Sequence, residues 1–97
     1  MSTALSTGSL ATGSTTTVLT GRSLLNSIQL FGNGVNAPSV IVYDNTAGSG
    51  KIIAQLIGVA ATTYLDFDPC FALRGDIGMT IVVAGTGASA IVGYGAA

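Results

Sequence analysis

Few side chains in this 97-residue chain can take part in catalysis. The acidic groups are four aspartates, and the chain has no glutamate, histidine or tryptophan. Its cations are two arginines and one lysine, and its single cysteine, Cys70, is expected to be a small buried hydrophobic residue. Histidine is the commonest general base, and a nucleophilic thiol needs a base beside it. The composition therefore predicts a protein that is not an enzyme and that has no cofactor.

Two glycine-rich segments resemble phosphate-binding loops. Residues 85–90 (GTGASA) fit the dinucleotide fingerprint, in which a helix begins at the glycines and its N-terminus holds the pyrophosphate. The residues that follow, 91–94 (IVGY), favour a strand, so a hairpin turn explains these glycines better. Residues 48–52 (GSGKI) lack the earlier glycine and the Ser or Thr after the lysine that a Walker A loop requires. Neither segment predicts nucleotide binding.

The aspartates near the middle of the chain are candidates for a cation site. Asp66 and Asp68 would share one face of a strand, and with Asp76 nearby they could offer oxygen ligands to a divalent ion. The sequence favours a simpler arrangement, two solvent-facing charges on either side of an inward Phe67. Residues 74–76 read Arg-Gly-Asp, which some adhesion receptors recognise, but glycine between two charges is typical of a turn. We predict neither a metal site nor an adhesion motif.

The surface of this protein must be poor in charge. Charged residues make up 7% of the chain, against roughly 25% in an ordinary soluble domain, and the net charge is −1. Without clustered Lys and Arg there is no electrostatic basis for binding nucleic acid. Because a surface of Ser, Thr, Asn and Gly repels its neighbours weakly, we expect permanent association with copies of the chain or with a larger partner.

The mean hydropathy of +0.68 calls for a test of the membrane alternative. Residues 77–97 carry no charge and are long enough to span a bilayer as a helix. They contain five glycines, and their large apolar residues are mostly β-branched. Two short strands joined by a turn fit this composition better, so no membrane association is predicted.

From residue 15 onward, short β-type segments alternate with turn residues. No apolar pattern keeps a helical period over about eleven residues. Strands are predicted at 15–20, 24–31, 40–43, 51–57, 62–67, 80–83 and 89–94. Seven or eight short strands with turns between them predict an all-β, antiparallel sandwich or barrel. The apolar runs at 40–43 and 80–83 are predicted to be central strands.

Alternation predicts which side chains of two of these strands face the core. In the segment 24–31 it places Asn26 on one face with Ile28 and Leu30. In the segment 51–57 it places the apolar side chains on one face, namely Ile52, Ala54 and Leu56.

The N-terminal segment differs in composition from the rest. Of the first twenty residues, eleven are Ser or Thr and none is charged. Residues 1–14 cannot bury much apolar area, so we interpret them as an extended N-terminal arm before a β domain at 15–97. The arm is either a disordered tail or a segment that docks on a neighbouring subunit. In the second case its anchors would be the large apolar side chains Leu5, Leu10, Val18 and Leu19.

The layout of the second half of the chain resembles that of a known class of proteins. Residues 40–52 (VIVYDNTAGSGKI) form a strand–loop–strand pattern, and residues 71–87 (FALRGDIGMTIVVAGTG) a turn followed by a β run that ends in Thr-Gly. In this pattern, over about residues 24–94, the chain resembles the small β-sandwich virion proteins of tailed bacteriophages. The resemblance implies a jelly-roll-like β-sandwich and a structural role as a capsid decoration, or cement, protein.

The resemblance also implies partners and a location. A decoration protein binds the major capsid protein or another virion protein, associates with copies of itself, often as a trimer, and resides in the virion after assembly in the host cytoplasm. Two alternatives stay open. One is a tail or neck accessory or adaptor protein. The other is a carbohydrate- or receptor-binding module, for which the available polar-tipped aromatic residues are Tyr43, Tyr64 and Tyr94.

Overall fold

The computed structural model describes residues 5–97, and in this range the chain forms ten strands and no helix. The strands are β1 (Leu5–Ser6), β2 (Leu10–Ala11), β3 (Thr15–Thr20), β4 (Ser23–Phe31), β5 (Ser39–Tyr43), β6 (Ile52–Ile57), β7 (Tyr64–Phe67), β8 (Leu73–Gly75), β9 (Gly78–Ala84) and β10 (Ser89–Ala96). All pairings between them are antiparallel. The predicted all-β class is confirmed.

The strands form two sheets with jelly-roll connectivity. Sheet A has the order β1-β10-β4-β7, with β2 also on β10 and β8 also on β4, and sheet B has the order β3-β9-β5-β6. In sheet A, β1 and β2 lie on one edge and β7 and β8 on the other, each pair forming a single interrupted edge. When each of these pairs is counted as one strand and the resulting eight strands are renumbered in chain order, sheet A reads 1-8-3-6 and sheet B reads 2-7-4-5. This is the jelly-roll order. This confirms the predicted jelly-roll-like sandwich.

The core lies between the sheets. The inward side chains come mainly from β4 and β10 of sheet A and from β5 and β9 of sheet B. Those with no exposed surface are Leu25, Ile28, Leu30, Val40, Val42, Met79, Ile81, Val83, Ala90 and Val92. Burying a side chain of the Val, Leu or Ile size stabilises the fold by about 1.5–3 kcal/mol. The runs 40–43 and 80–83 are central strands, as predicted, with a paired neighbour on each side.

A bulge in β4 changes which of its residues face the core. The pairing with β10 shifts so that Gly93 lies opposite Ser27 and Tyr94 opposite Leu25, which leaves Asn26 as an extra residue. Leu25 is consequently buried and Asn26 is not. The prediction that Asn26 lies on the core face with Ile28 is wrong, because strict alternation does not hold across the bulge.

A second bulge has the same effect in β6. Val42 of β5 pairs with Ala54 and Tyr43 with Ile52, so Ile53 is the extra residue. Ile53 packs against the core, whereas Ile52 is 43% exposed. The prediction that Ile52 shares the inward face of Ala54 is therefore wrong. The bulge leaves two isoleucines of this edge strand, Ile52 and Ile57, on the solvent side.

The connections gather at the two ends of the sandwich. One end, here called the loop end, consists of residues 12–14, 32–38, 58–63 and 85–88. The other, the opposite end, consists of residues 21–22, 44–51 and 76–77. The end of the chain lies there too, since the Ala97 N–H donates to the Arg22 carbonyl at 3.3 Å.

Candidate interaction surface

Backbone hydrogen bonds hold the loop end together. The Gly58 N–H donates to the Pro38 carbonyl at 2.8 Å, and the Gly32 N–H donates to the Thr63 carbonyl at 2.9 Å. These bonds tie the loop after β4 to the loop after β6. On the other side, the Thr12 hydroxyl donates to the Gly85 carbonyl at 2.6 Å. Gly85 in turn lies close to the Ala37 carbonyl, so the four connections form one continuous surface.

Glycine is required where the β9–β10 turn meets this surface. Gly85 has a φ of +99°, in the left-handed region, and a Cβ there would overlap the Ala37 carbonyl. The Ala88 N–H donates to the Gly85 carbonyl at 3.0 Å and closes the turn. Residues 85–88 thus form a turn between two strands, and no helix begins at these glycines. The prediction of a hairpin is wrong, because β9 belongs to sheet B and β10 to sheet A, so the turn connects the two sheets.

The loop end contains no charged side chain. All seven charged residues of the chain lie elsewhere. Four belong to the connections of the opposite end, namely Arg22, Asp44, Lys51 and Asp76. The other three lie on or beside the edge formed by β7 and β8, namely Asp66, Asp68 and Arg74. The molecule is therefore polarised along its strands, with one charged end and one uncharged end.

Large aliphatic side chains project into solvent at the loop end. Val35 is 72% exposed and Val59 is 70% exposed, and each lies on one of the two hydrogen-bonded loops. Ile57, at the end of β6, is 65% exposed. Burying uncharged apolar side chains against a protein surface removes no charge from water. The loop end is accordingly suited to contact an uncharged protein surface.

Sequence reasoning did not identify these three residues, although the spacing of charges contains the signal. The charge-free stretches 1–21, 23–43, 52–65 and 77–97 each include one loop of the loop end. Charges recur only where the chain passes the opposite end or the β7–β8 edge. Knowledge of the topology is needed to see that these stretches meet.

The opposite end is built around the buried carboxylate of Asp44. Its Oδ1 accepts the N–H groups of Asp76 at 2.9 Å, Ile77 at 2.8 Å and Gly78 at 3.3 Å. The hydrogen bond from Ile77 favours the charged form of Asp44 most strongly, whereas burial opposes it. The bonds from Asp76 and Gly78 and the charge of Lys51 also favour the charged form, so the pKa of Asp44 lies below its ordinary value of 3.8. Every one of these partners is structural, so Asp44 stabilises the fold.

The aspartates considered for a cation lie on the outside of sheet A. Asp66 and Asp68 are exposed on either side of Phe67, which packs against the core, as predicted. With Ser27 and Gln29 they line a shallow depression of about 280 Å³. Among residues 5–97, no three His, Cys, Asp or Glu side chains come together as metal ligands would. Asp66 and Asp68 are thus surface charges.

The Arg-Gly-Asp tripeptide contains an ion pair between its own first and third residues. The Arg74 guanidinium donates to the Asp76 carboxylate at 2.9 Å, and both side chains are more than half exposed. Gly75 between them is buried, and a Cβ there would lie 3.0 Å from Asp44 Oδ1. The segment spans the end of β8, and its charges neutralise each other.

Cys70 lies in the connection that interrupts the β7–β8 edge. It is exposed, so the prediction of a buried residue is wrong. Its apolar neighbours suggested burial, but the chain leaves the sheet at residues 68–72. Phe71, beside it, is 84% exposed.

An aromatic pair crosses the outer face of sheet A near the same depression. The rings of Phe31 and Tyr64 are 5.3 Å apart at 48°. The Gln29 amide donates to the Tyr64 hydroxyl at 3.5 Å. Of the three tyrosines considered for carbohydrate binding, Tyr64 is exposed, whereas Tyr43 and Tyr94 are partly buried.

The predicted arm is extended and lies along its own domain. Leu5 pairs with Tyr94 and Leu10 with Ala90, both on β10. Thr7 connects the two short strands, since its N–H donates to the Val92 carbonyl at 3.0 Å and its hydroxyl accepts the Val92 N–H at 3.1 Å. Residues 1–4 of the arm lie outside the described residues.

The four predicted anchors are not equally available to a partner. Leu10, Val18 and Leu19 are partly buried and pack against the core of their own domain. Leu5 is half exposed. Anchoring on a neighbouring subunit stays a prediction, and Leu5 is the anchor most open to a partner.

No protein-family model matches the chain, and no curated protein or solved structure is significantly similar to it. Within the described residues, no helix is long and apolar enough to cross a membrane.

Proposed function

We propose that this protein is a structural component of a virion, a capsid decoration protein that attaches to the assembled shell through its loop end. The observation that carries the proposal is the absence of charge from the loop end, together with its exposed Val35 and Val59. Exposed apolar groups of this kind, when they gather in one region, mark interaction sites. The jelly-roll topology and the charge-poor composition agree with the class of virion proteins that the sequence resembles.

Such a protein stabilises the shell by binding to it and catalyses no reaction. A protein that binds only the assembled shell stabilises that state by mass action. Each contact removes apolar area from water, at about 25 cal/mol per Å², and the symmetry of a shell repeats the contact many times. In this arrangement the charged opposite end faces away from the shell.

Binding to particles that lack the protein tests this assignment. Val59→Asp introduces a charge into the loop end, and we expect it to abolish co-sedimentation with the particles. Phe71→Asp is the matched control, since it adds the same charge at another highly exposed apolar site, in the β7–β8 connection outside the loop end. Urea unfolding of both variants verifies that they fold. Wild-type binding by a folded Val59→Asp variant would refute attachment through the loop end.

A carbohydrate-binding module is the second candidate, and one observation favours it. The exposed Tyr64 ring lies against Phe31 near the depression that Gln29 and Asp66 line. An aromatic face beside amide and carboxylate groups can bind a sugar ring. A glycan array probed with the wild-type chain and with Tyr64→Ala tests this candidate. Hits that vanish in the variant would support it, and an array without hits would eliminate it.

A further inference from the structure

We infer that β6 is a self-association edge, along which two copies of the chain pair their β6 strands antiparallel and extend sheet B across a twofold axis. Within the part of the chain that the structure describes, β6 pairs with β5 alone. The backbone groups on its other side are therefore open to another strand. This contact is separate from attachment to a shell and can be tested without one.

The other sheet edges are less suited to pairing. On sheet A, the edge of β1 and β2 is interrupted at residues 7–9, and that of β7 and β8 at residues 68–72. Short, broken edges are a common protection against unwanted pairing. On sheet B, β3 exposes threonines at positions 15, 17 and 20. The edge strand β6 has the bulge at Ile53 but no break, carries no charge, and exposes isoleucine.

The exposed side chains of β6 are arranged symmetrically along the strand. Ile52 and Ile57 lie at its two ends on the solvent side, with Gln55 near the middle. When two copies pair antiparallel, Ile57 of one copy approaches Ile52 of the other, and the two Gln55 side chains meet near the twofold axis. The isoleucines lose exposed area, and the amides can donate to and accept from each other. The strand is thus complementary to itself.

The charge next to β6 favours the antiparallel arrangement. Lys51 immediately precedes the strand. In an antiparallel pair of six-residue strands, the two lysines lie at opposite ends, about 20 Å apart. This exceeds the Debye length of about 8 Å at physiological salt, so their repulsion is screened. A parallel pair would place the lysines side by side, which is why we assign the twofold contact.

Substitutions that introduce a positive or a negative charge at Gln55 test the contact. We expect the wild-type chain to have a solution mass of twice 9.6 kDa by analytical ultracentrifugation. Gln55→Lys places two like charges near the axis and should raise the dimer Kd by about fivefold or more at low salt, with partial recovery at high salt. Gln55→Glu should do the same. An equimolar mixture of the two variants should form a heterodimer at least as tight as the wild-type dimer, detectable by native mass spectrometry.

The matched control is Thr20→Lys, which adds a lysine to β3, the other edge of the same sheet, and should leave the dimer unchanged. Weakening by Thr20→Lys would indicate head-to-tail pairing of β6 with β3 and would overturn the twofold contact. A wild-type chain that stays monomeric at its highest soluble concentration, or that forms the trimer implied by the resemblance, would also overturn it. If an equimolar mixture of Gln55→Lys and Gln55→Glu formed no heterodimer, this result would also overturn the twofold contact.

Discussion

Asp44 Oδ1 accepts the backbone N–H of Ile77 at 2.8 Å, across 33 residues of sequence. This bond ties the connection after β5 to the connection between β8 and β9, and the N–H groups of Asp76 and Gly78 share the same oxygen. A buried carboxylate with three backbone donors fixes the opposite end of the sandwich. Asp44 therefore has a structural role at the charged end, and the proposed attachment surface is the uncharged end.

The first prediction concerns the stability that this carboxylate provides. Asp44→Asn removes the charge while it keeps nearly the same shape, so each of the three hydrogen bonds loses its charged acceptor. We expect the free energy of unfolding to fall by about 2 kcal/mol in urea denaturation. Asp76→Asn, at an exposed ion pair, is the control and should change it by less than about 0.5 kcal/mol. Equal effects of the two substitutions would contradict the role assigned to Asp44.

The second prediction is the pH dependence of stability. The native pKa of Asp44 is lowered from 3.8, so on acidification the unfolded chain takes up a proton before the native chain does. The contribution of Asp44 is fully present above about pH 3.8 and is lost as the pH falls through the lower native pKa. Urea midpoints measured toward acid should drop less steeply in Asp44→Asn than in the wild type. Parallel curves would show that another group is responsible.

The third prediction separates folding from docking in the N-terminal segment. Leu10 packs against the core, so Leu10→Ala should lower the free energy of unfolding by about 1–2 kcal/mol. Leu5 is half exposed, and Leu5→Ala should change it by less than about 0.5 kcal/mol. If Leu5 anchors a partner, its substitution reduces binding to particles without a change in stability. Particle binding at the wild-type level by Leu5→Ala would rule out Leu5 as an anchor.

The strands that sequence reasoning located are those with their own β-type composition. The bounds of β3 were predicted to the residue, and the predicted segments for β4, β5, β6, β7, β9 and β10 overlap the strands with shifts of one to two residues at their ends. The short strands β1, β2 and β8 were not predicted, because each has two or three residues and depends on a neighbour for its hydrogen bonds.

The inward faces of β4 and β6 were harder to predict, because a bulge leaves almost no trace in composition. Asn26 and Ile53 are extra residues only in relation to the strands beside them. The proposed attachment surface could not be located from the sequence for a similar reason. Val35 and Val59 lie 24 residues apart in sequence and are placed on adjacent loops by the topology.

The central claim is that this chain covers the shell of a virion, and the number of copies per particle tests it most directly. Quantitative mass spectrometry of purified particles gives the ratio of this chain to the major shell protein. We predict copies on the order of hundreds per particle, as repetition over a symmetric shell requires. A count of roughly six to twelve, the order expected for a single ring at a neck or tail, would contradict decoration and favour an adaptor. Particles without the chain would contradict the virion assignment itself.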